Sequence, residues 1–98
     1  MTDPRLLLLS PEDNVLVLRR GIEAGERFDF GAGEAVADRS LSLGHKVARR
    51  DIAAGEPILK YGAVIGVATE PIAAGGHVHV HNVRSNYTPT YSLPDEGT

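Results

Sequence analysis

The feature that most constrains the fold is a short pattern that occurs three times along the chain. In each copy an isoleucine is followed by two small or polar residues and a glycine, at residues 22–25, 52–55 and 72–75. An apolar side chain that anchors a turn, followed by a glycine at positive φ where the chain reverses, explains this pattern. The spacing differs between copies, so a solenoid of fixed period is not predicted. The pattern instead predicts short strands joined by tight turns.

Composition favours the same class. The 98 residues include 11 Gly and six Pro, no Trp and only five Tyr or Phe, so turns are frequent and a core must come from Leu, Ile, Val and Ala. Glycines 62 and 66 predict a hairpin turn and a bulge. We expect one all-β domain over residues 1–83 with at most one short helix, at 34–41, and then a polar tail over 84–98. Strands are predicted at 6–10, 15–19, 27–30, 46–49, 57–61, 63–68 and 77–83.

Charge and residue types exclude several functions. The formal net charge of −3 argues against a nucleic-acid module, which needs clustered cationic charge. Without cysteine there is no disulfide framework, thiol nucleophile or Cys-ligated zinc. The apolar run at residues 6–9 is too short for a membrane span. A cytoplasmic protein without membrane or nucleic-acid partners is therefore expected.

Three of the four histidines are concentrated in His77-Val78-His79-Val80-His81-Asn82. On a strand, His77, His79 and His81 would share one face, while the two valines would face the core. His-x-His pairs of this kind bind zinc or iron, although a third or fourth ligand would have to come from elsewhere. An exposed edge strand with incidental histidines is the alternative.

Two cationic elements could bind a carboxylate. Gly44-His45-Lys46 combines an imidazole with an ammonium group, and Lys60-Tyr61-Gly62 combines a cation with a phenol beside a turn. A basic loop and an ordinary strand end, respectively, remain open as structural explanations.

Several motifs, taken in order, resemble the SAF domain of the altronate and galactarate dehydratases. They are Leu9-Ser10-Pro11-Glu12-Asp13-Asn14-Val15, Gly44-His45-Lys46, Ile52-Ala53-Ala54-Gly55-Glu56-Pro57, Lys60-Tyr61-Gly62 and Val78-His79-Val80-His81-Asn82. The likeness covers roughly residues 6–83. It implies a β-clip fold, of the kind shared with antifreeze-like domains, and hydro-lyase chemistry on sugar acids.

The resemblance also implies site residues and a cofactor. It assigns catalytic roles to His45, His79 and His81, and substrate binding to Lys46, Lys60 and Asn82. His79 and His81 would hold a divalent metal, iron(II) in this family, whereas His77 occupies a more variable position.

The long dehydratase domain of single-chain family members does not follow in this sequence, so the resemblance implies a large partner subunit that completes the site. A small subunit of a sugar-acid dehydratase is therefore expected. A sulfolactate sulfo-lyase subunit and a non-catalytic sugar-acid-binding or regulatory module are the alternatives, and self-association is left open.

Overall fold

The computed structural model describes residues 2–85, and in that range it contains strands and turns but no helix. The all-β prediction is confirmed. No helix in this range could cross a membrane. The strands are β1 (Leu6–Leu7), β2 (Val15–Leu18), β3 (Arg27–Asp29), β4 (Glu34–Val36), β5 (Lys46–Ala48), β6 (Pro57–Lys60), β7 (Ala63–Ala68), β8 (His77–Val78) and β9 (Val83–Arg84).

The strands form three antiparallel sheets. The central sheet has the order β1-β2-β5-β8, and the two smaller sheets are the β3-β4 hairpin and the β6-β7-β9 sheet. The β3-β4 hairpin and the β6-β7 hairpin are each inserted between two strands of the central sheet. The chain therefore leaves the central sheet after β2, returns as β5, leaves again and returns as β8.

The three predicted turns are confirmed. Ile22, Ile52 and Ile72 are all buried. The glycines three residues later all have positive φ, at 88°, 85° and 82°. After each glycine the next residue donates its amide hydrogen back to the carbonyl three residues earlier, which closes the turn.

A fourth copy of the turn, at Leu41-Ser42-Leu43-Gly44, was not recognised in the sequence. Leu41 is buried and Gly44 has a φ of 89°, so the backbone repeats the other turns although Leu replaces Ile and no alanine is present. The turns associate in pairs, because Leu41 forms an antiparallel bridge with Ile22 just as Ile72 does with Ile52.

These paired turns divide the described chain into two similar lobes, residues 15–44 and 46–75. The register of β2 with β5 is symmetric, with Leu16 opposite Val47 at its centre. The described residues form two apolar cores, and β2 and β5 exchange a residue between them, so that Val47 lies in the first core and Val15 in the second. The first is built around Leu16, Leu18, Ile22, Phe28, Leu41 and Val47, and the second around Val15, Ile52, Ile58, Ala68, Ile72 and Val78.

The positive-φ glycines provide a matched stability test. At both Gly55 and Gly75 an added Cβ is strained by φ, but at Gly55 it meets nothing within 4 Å, whereas at Gly75 it would lie 2.6 Å from the Ala35 Cβ. We expect Gly55→Ala to lower the free energy of unfolding by about 1–2 kcal/mol. Gly75→Ala should cost at least about 1–3 kcal/mol more because of overpacking. Equal losses in urea denaturation would contradict the close approach of the two lobes at Gly75.

The one short helix that the sequence allowed, at 34–41, does not form. Residues Glu34–Val36 form β4, which pairs with β3, and Leu41 bridges Ile22. Pairing supplies partners for the backbone and allows Ala37 and Leu41 to enter the core beside Phe28. An isolated helix with weak amphipathicity could not bury an equivalent apolar face.

The continuous strand predicted at 77–83 is also wrong. β8 ends at Val78, a turn covers residues 79–82, and β9 then joins a different sheet through β7. The turn is closed by a hydrogen bond that the backbone N–H of Asn82 donates to the His79 carbonyl, with an N···O distance of 3.0 Å. The predicted tail begins at Arg84, which lies in β9, and residues 86–98 lie outside the described part of the chain.

Candidate functional site

His45 and His77 are brought together by the pairing of β5 with β8. His45 follows the fourth turn and immediately precedes β5. In the register of β5 with β8, Val47 lies opposite His77. The His45 Nδ1 and His77 Nε2 atoms are 2.8 Å apart, which is a hydrogen-bond distance between two imidazoles. These histidines are separated by 32 residues in sequence.

The turn at residues 79–82 adds His79 to this pair. Its ring stacks on His45 with centroids 4.6 Å apart and on His77 with centroids 5.4 Å apart. One ring nitrogen from each of the three residues lies within 4.8 Å of the others. His81 is outside this group, and its tilted ring lies 5.3 Å from the His77 ring.

Asn82 braces the histidine turn through hydrogen bonds to its backbone. The residue is only 5% exposed. The amide oxygen accepts the His79 backbone N–H at 2.9 Å, and the amide nitrogen donates to the His77 carbonyl at 2.8 Å. One side chain therefore sets the backbone positions of two histidines, which is the orienting action expected of a residue behind a ligand set.

The pKa values of two histidines favour the neutral form. Burial, with the charges of His45 and Arg39 as lesser causes, lowers the pKa of His77 to about 4. Burial followed by the charges of His45 and Lys46 lowers the pKa of His79. A neutral imidazole has the free lone pair that a metal ion needs.

The donor set fits a divalent transition metal. Within residues 2–85 the buried His77 Nδ1 has no hydrogen-bond partner. A buried nitrogen of this kind needs a partner beyond these residues, and a metal ion is one group that could fill that place. Three imidazole nitrogens suit zinc or iron, and they leave further coordination positions for other ligands.

Lys46 connects the histidines to the second cationic element. It lines a cavity of about 240 Å³ together with Ile65, His79, Val80, Val83 and Ser85. Partial burial and, secondly, the charge of Lys60 lower the pKa of Lys46. Lys60 ends β6, and its Nζ lies 5.8 Å from the centre of the Tyr61 ring. Two ammonium groups and the imidazole cluster thus make one side of the domain suitable for an anion.

Two buried residues that were not recognised as important in the sequence form hydrogen bonds to the backbone of β6 and of the turn that follows it. The Asn14 amide donates to the Pro57 carbonyl and accepts the Leu59 N–H, both at 2.8 Å. The Asp13 carboxylate accepts the N–H groups of the two residues that follow Lys60, at 2.9 and 2.8 Å. The only sequence signal was their place in the family-like segment 9–15.

The structure thus brings the predicted site residues to neighbouring positions, but for a different reason from the one given by the sequence. A shared strand face is wrong for His81, because the strand ends before it. His77, which the resemblance placed at a variable position, is at the centre of the group, within ring-contact distance of the other three. His45 joins the group through strand pairing that sequence spacing does not reveal.

Comparison with known proteins identifies the domain. A family model described as the altronate/galactarate dehydratase SAF domain matches residues 4–86. Altronate dehydratase of Bacillus subtilis is 39% identical over 89 residues, which cover 82% of this chain and 18% of that protein. Galactarate dehydratase (L-threo-forming) of Escherichia coli is 40% identical over 85 residues, covering 84% of this chain and 16% of the relative.

A third relative is of similar length to this chain. The alpha subunit of (2R)-sulfolactate sulfo-lyase from Chromohalobacter salexigens is 37% identical over 78 residues, which cover 71% of this chain and 81% of that subunit. By contrast, the chain spans less than a fifth of the two dehydratases. The match of the family model over most of the sequence confirms the resemblance, and the chain belongs to the altronate/galactarate dehydratase SAF-domain family.

Proposed function

We propose that this SAF domain supplies one side of the active site of a lyase that removes water from a sugar acid of the altronate or galactarate type. The observation that carries the proposal is the grouping of His45, His77 and His79 beside Lys46, in a domain of the dehydratase family. The imidazoles and the ammonium group would bind and orient an anionic hydroxy acid.

The rest of the site is proposed to lie on a large dehydratase subunit. In the dehydratase relatives the matched segment is less than a fifth of the protein, and the sulfo-lyase relative is named as one subunit. In both groups the segment therefore belongs to a larger protein or assembly. A cavity of about 240 Å³ against an open surface would also leave a sugar acid in contact with water unless another chain covered it.

We further propose that His45, His77 and His79 hold a divalent metal, iron(II) in our assignment. When bound, the ion would supply Lewis-acid polarisation of a substrate oxygen. This ligand set differs from the His79 and His81 pair expected from the sequence. It rests on the interatomic distances, on the lowered pKa values of His77 and His79, and on the orphaned His77 nitrogen.

The remaining residues would handle charge and protons. Lys46 and Lys60 would bind the substrate carboxylate by charge-assisted hydrogen bonds. His81, in the turn outside the metal-capable group, is proposed to donate the proton with which hydroxide leaves as water. Asn82 would keep His77 and His79 in position. The base that removes the α-proton is assigned to the large subunit.

A second candidate is the elimination of sulfite from sulfolactate. The specific observation in its favour is the match over 81% of a sulfo-lyase alpha subunit. The same cationic groups would bind the carboxylate of that substrate, and the two reactions differ in the group that leaves.

The test is turnover by the chain purified together with its large partner, with iron(II), on altronate, galactarate and sulfolactate. We expect the complex to form a 2-keto-3-deoxy acid and the isolated chain to be inactive. Lys46→Met should lower kcat/KM by roughly tenfold to a hundredfold, because a hydrogen bond to a charged group is lost. Arg27→Met, which removes an exposed cation in the other lobe, is the control expected to have no effect.

Each other outcome selects an alternative. If the complex releases sulfite from sulfolactate and does not act on altronate or galactarate, the protein is a sulfo-lyase subunit and the dehydratase proposal is refuted. Absence of turnover on all three acids by the complex would refute both lyases and favour a binding or regulatory module. Full activity of the isolated chain would refute the shared site.

A further inference from the structure

The tip of the β6-β7 hairpin contains an unfavourable backbone conformation. Tyr61 has a φ of 58° and is the only non-glycine residue in the range 2–85 with positive φ. It is followed by Gly62 at 73°, and the two residues connect the paired positions Lys60 and Ala63. A two-residue turn with positive φ at both positions prefers Asn, Asp or Gly first, and a tyrosine there is strained.

Packing does not explain why tyrosine occupies this position. The residue is 70% exposed, so burial of its ring provides little compensation for the strain. The conformation is instead stabilised by the buried Asp13 carboxylate, whose two oxygens accept the N–H groups of Tyr61 and Gly62. Residues kept in unfavourable conformations by their surroundings are concentrated at functional sites.

The tip lies next to the cationic side of the site. The Lys60 Nζ is 5.8 Å from the Tyr61 ring centre, and the charge of Lys60 acts on Lys46 to lower its pKa. Lys46 in turn lines the same cavity as His79. Ile65 also lines this cavity and belongs to β7, the strand that begins directly after the tip, so the β6-β7 hairpin connects the phenol to the histidine side of the domain.

We propose that Tyr61 contacts the substrate and that Asp13 is a positioning residue that acts through it. The ligand class is a polyhydroxylated carboxylate. Its charge suits Lys46 and Lys60, and its hydroxyl groups can exchange hydrogen bonds with the phenol. The inference rests on the proposed function for the reaction, but the contact itself can be tested without turnover.

The first experiment compares Tyr61→Asn, Tyr61→Phe and Val64→Thr in the complex with the large subunit. Asn relieves the strain, so the midpoint of thermal unfolding should stay the same or rise by a few degrees. The KM for the sugar acid should nevertheless rise at least tenfold while kcat changes less than twofold. Tyr61→Phe should reproduce most of the rise in KM. Val64→Thr alters another exposed apolar residue of the same hairpin and should leave KM unchanged.

Asp13→Asn tests the positioning role. The single variant Asp13→Asn should raise KM. The double variant with Tyr61→Asn should have the same KM as Tyr61→Asn by itself. A structural role would lower stability without this non-additivity. An unchanged KM in Tyr61→Asn would overturn the proposal, and so would weaker affinity for the large subunit at constant KM, which would make Tyr61 a protein contact.

The second experiment is independent of catalysis. Galactarate is titrated into the isotopically labelled isolated chain, with sodium chloride of equal ionic strength as the control. We expect NMR shifts at the Tyr61 ring and the Gly62 amide, and their loss in Tyr61→Asn. Shifts without turnover by the complex would refute the proposed function and retain this inference. Turnover with no shift at the tip would refute the inference alone.

Discussion

Replacing His45, His77 or His79 by Gln is expected to weaken binding of a divalent metal by more than about 100-fold, whereas His81→Gln should change it less than about threefold. Loss of an outer partner of a metal ligand costs roughly 10–100-fold in affinity, so loss of a direct ligand should cost more. The reason for the contrast is geometric, because nitrogens from the first three residues lie within 4.8 Å of one another and His81 is outside that set.

Titration of the metal-free chain with cobalt(II) or zinc(II), followed by visible absorption or calorimetry, measures the four affinities. His81→Gln is the matched control, since it removes the same chemical group from the same turn. If His81→Gln lowers metal affinity as much as His79→Gln does, and His77→Gln does not lower it, the ligands are His79 and His81, as the sequence predicted. That result would refute the three-histidine ligand set.

The second large effect is expected at Asn82. Asn82→Ala removes an acceptor for the His79 N–H and a donor for the His77 carbonyl. Loss of two hydrogen bonds to partly buried backbone groups should lower the free energy of unfolding by about 2–3 kcal/mol. Because the freed backbone carries two proposed ligands, metal affinity should also fall by roughly 10–100-fold.

Asn14→Ala provides the matched control. Asn14 makes the same pair of bonds, one to a backbone N–H and one to a carbonyl, but on β6 instead of the histidine turn. Urea denaturation of both variants in the presence of a chelator should show similar losses of stability. Only Asn82→Ala should lose metal affinity. Equal metal affinities in the two variants would show that Asn82 stabilises the fold without positioning the ligands.

The sequence was most informative where structure depends on local backbone preference. The Ile-x-x-Gly turns were predicted because a glycine at positive φ and a buried aliphatic side chain leave a pattern within four residues. The fourth turn was missed because Leu41-Ser42-Leu43-Gly44 forms the same backbone with different side chains. The sequence allowed a helix at 34–41 that does not form, because pairing with β3 and entry into the core are not local properties.

For the candidate site, the sequence identified the residue types but not their arrangement. It determined by itself the all-β class, the three turns, the family, and the concentration of His and Lys in a few motifs. Tertiary structure alone decided that His45 and His77 contact each other, because that requires pairing of β5 with β8 across 32 residues. It also decided that His79 joins them and His81 does not, because the strand ends at Val78 and the buried Asn82 holds the turn that follows. The first contact depends on long-range strand pairing, and the second depends on the burial of Asn82. The linear order of residues shows neither.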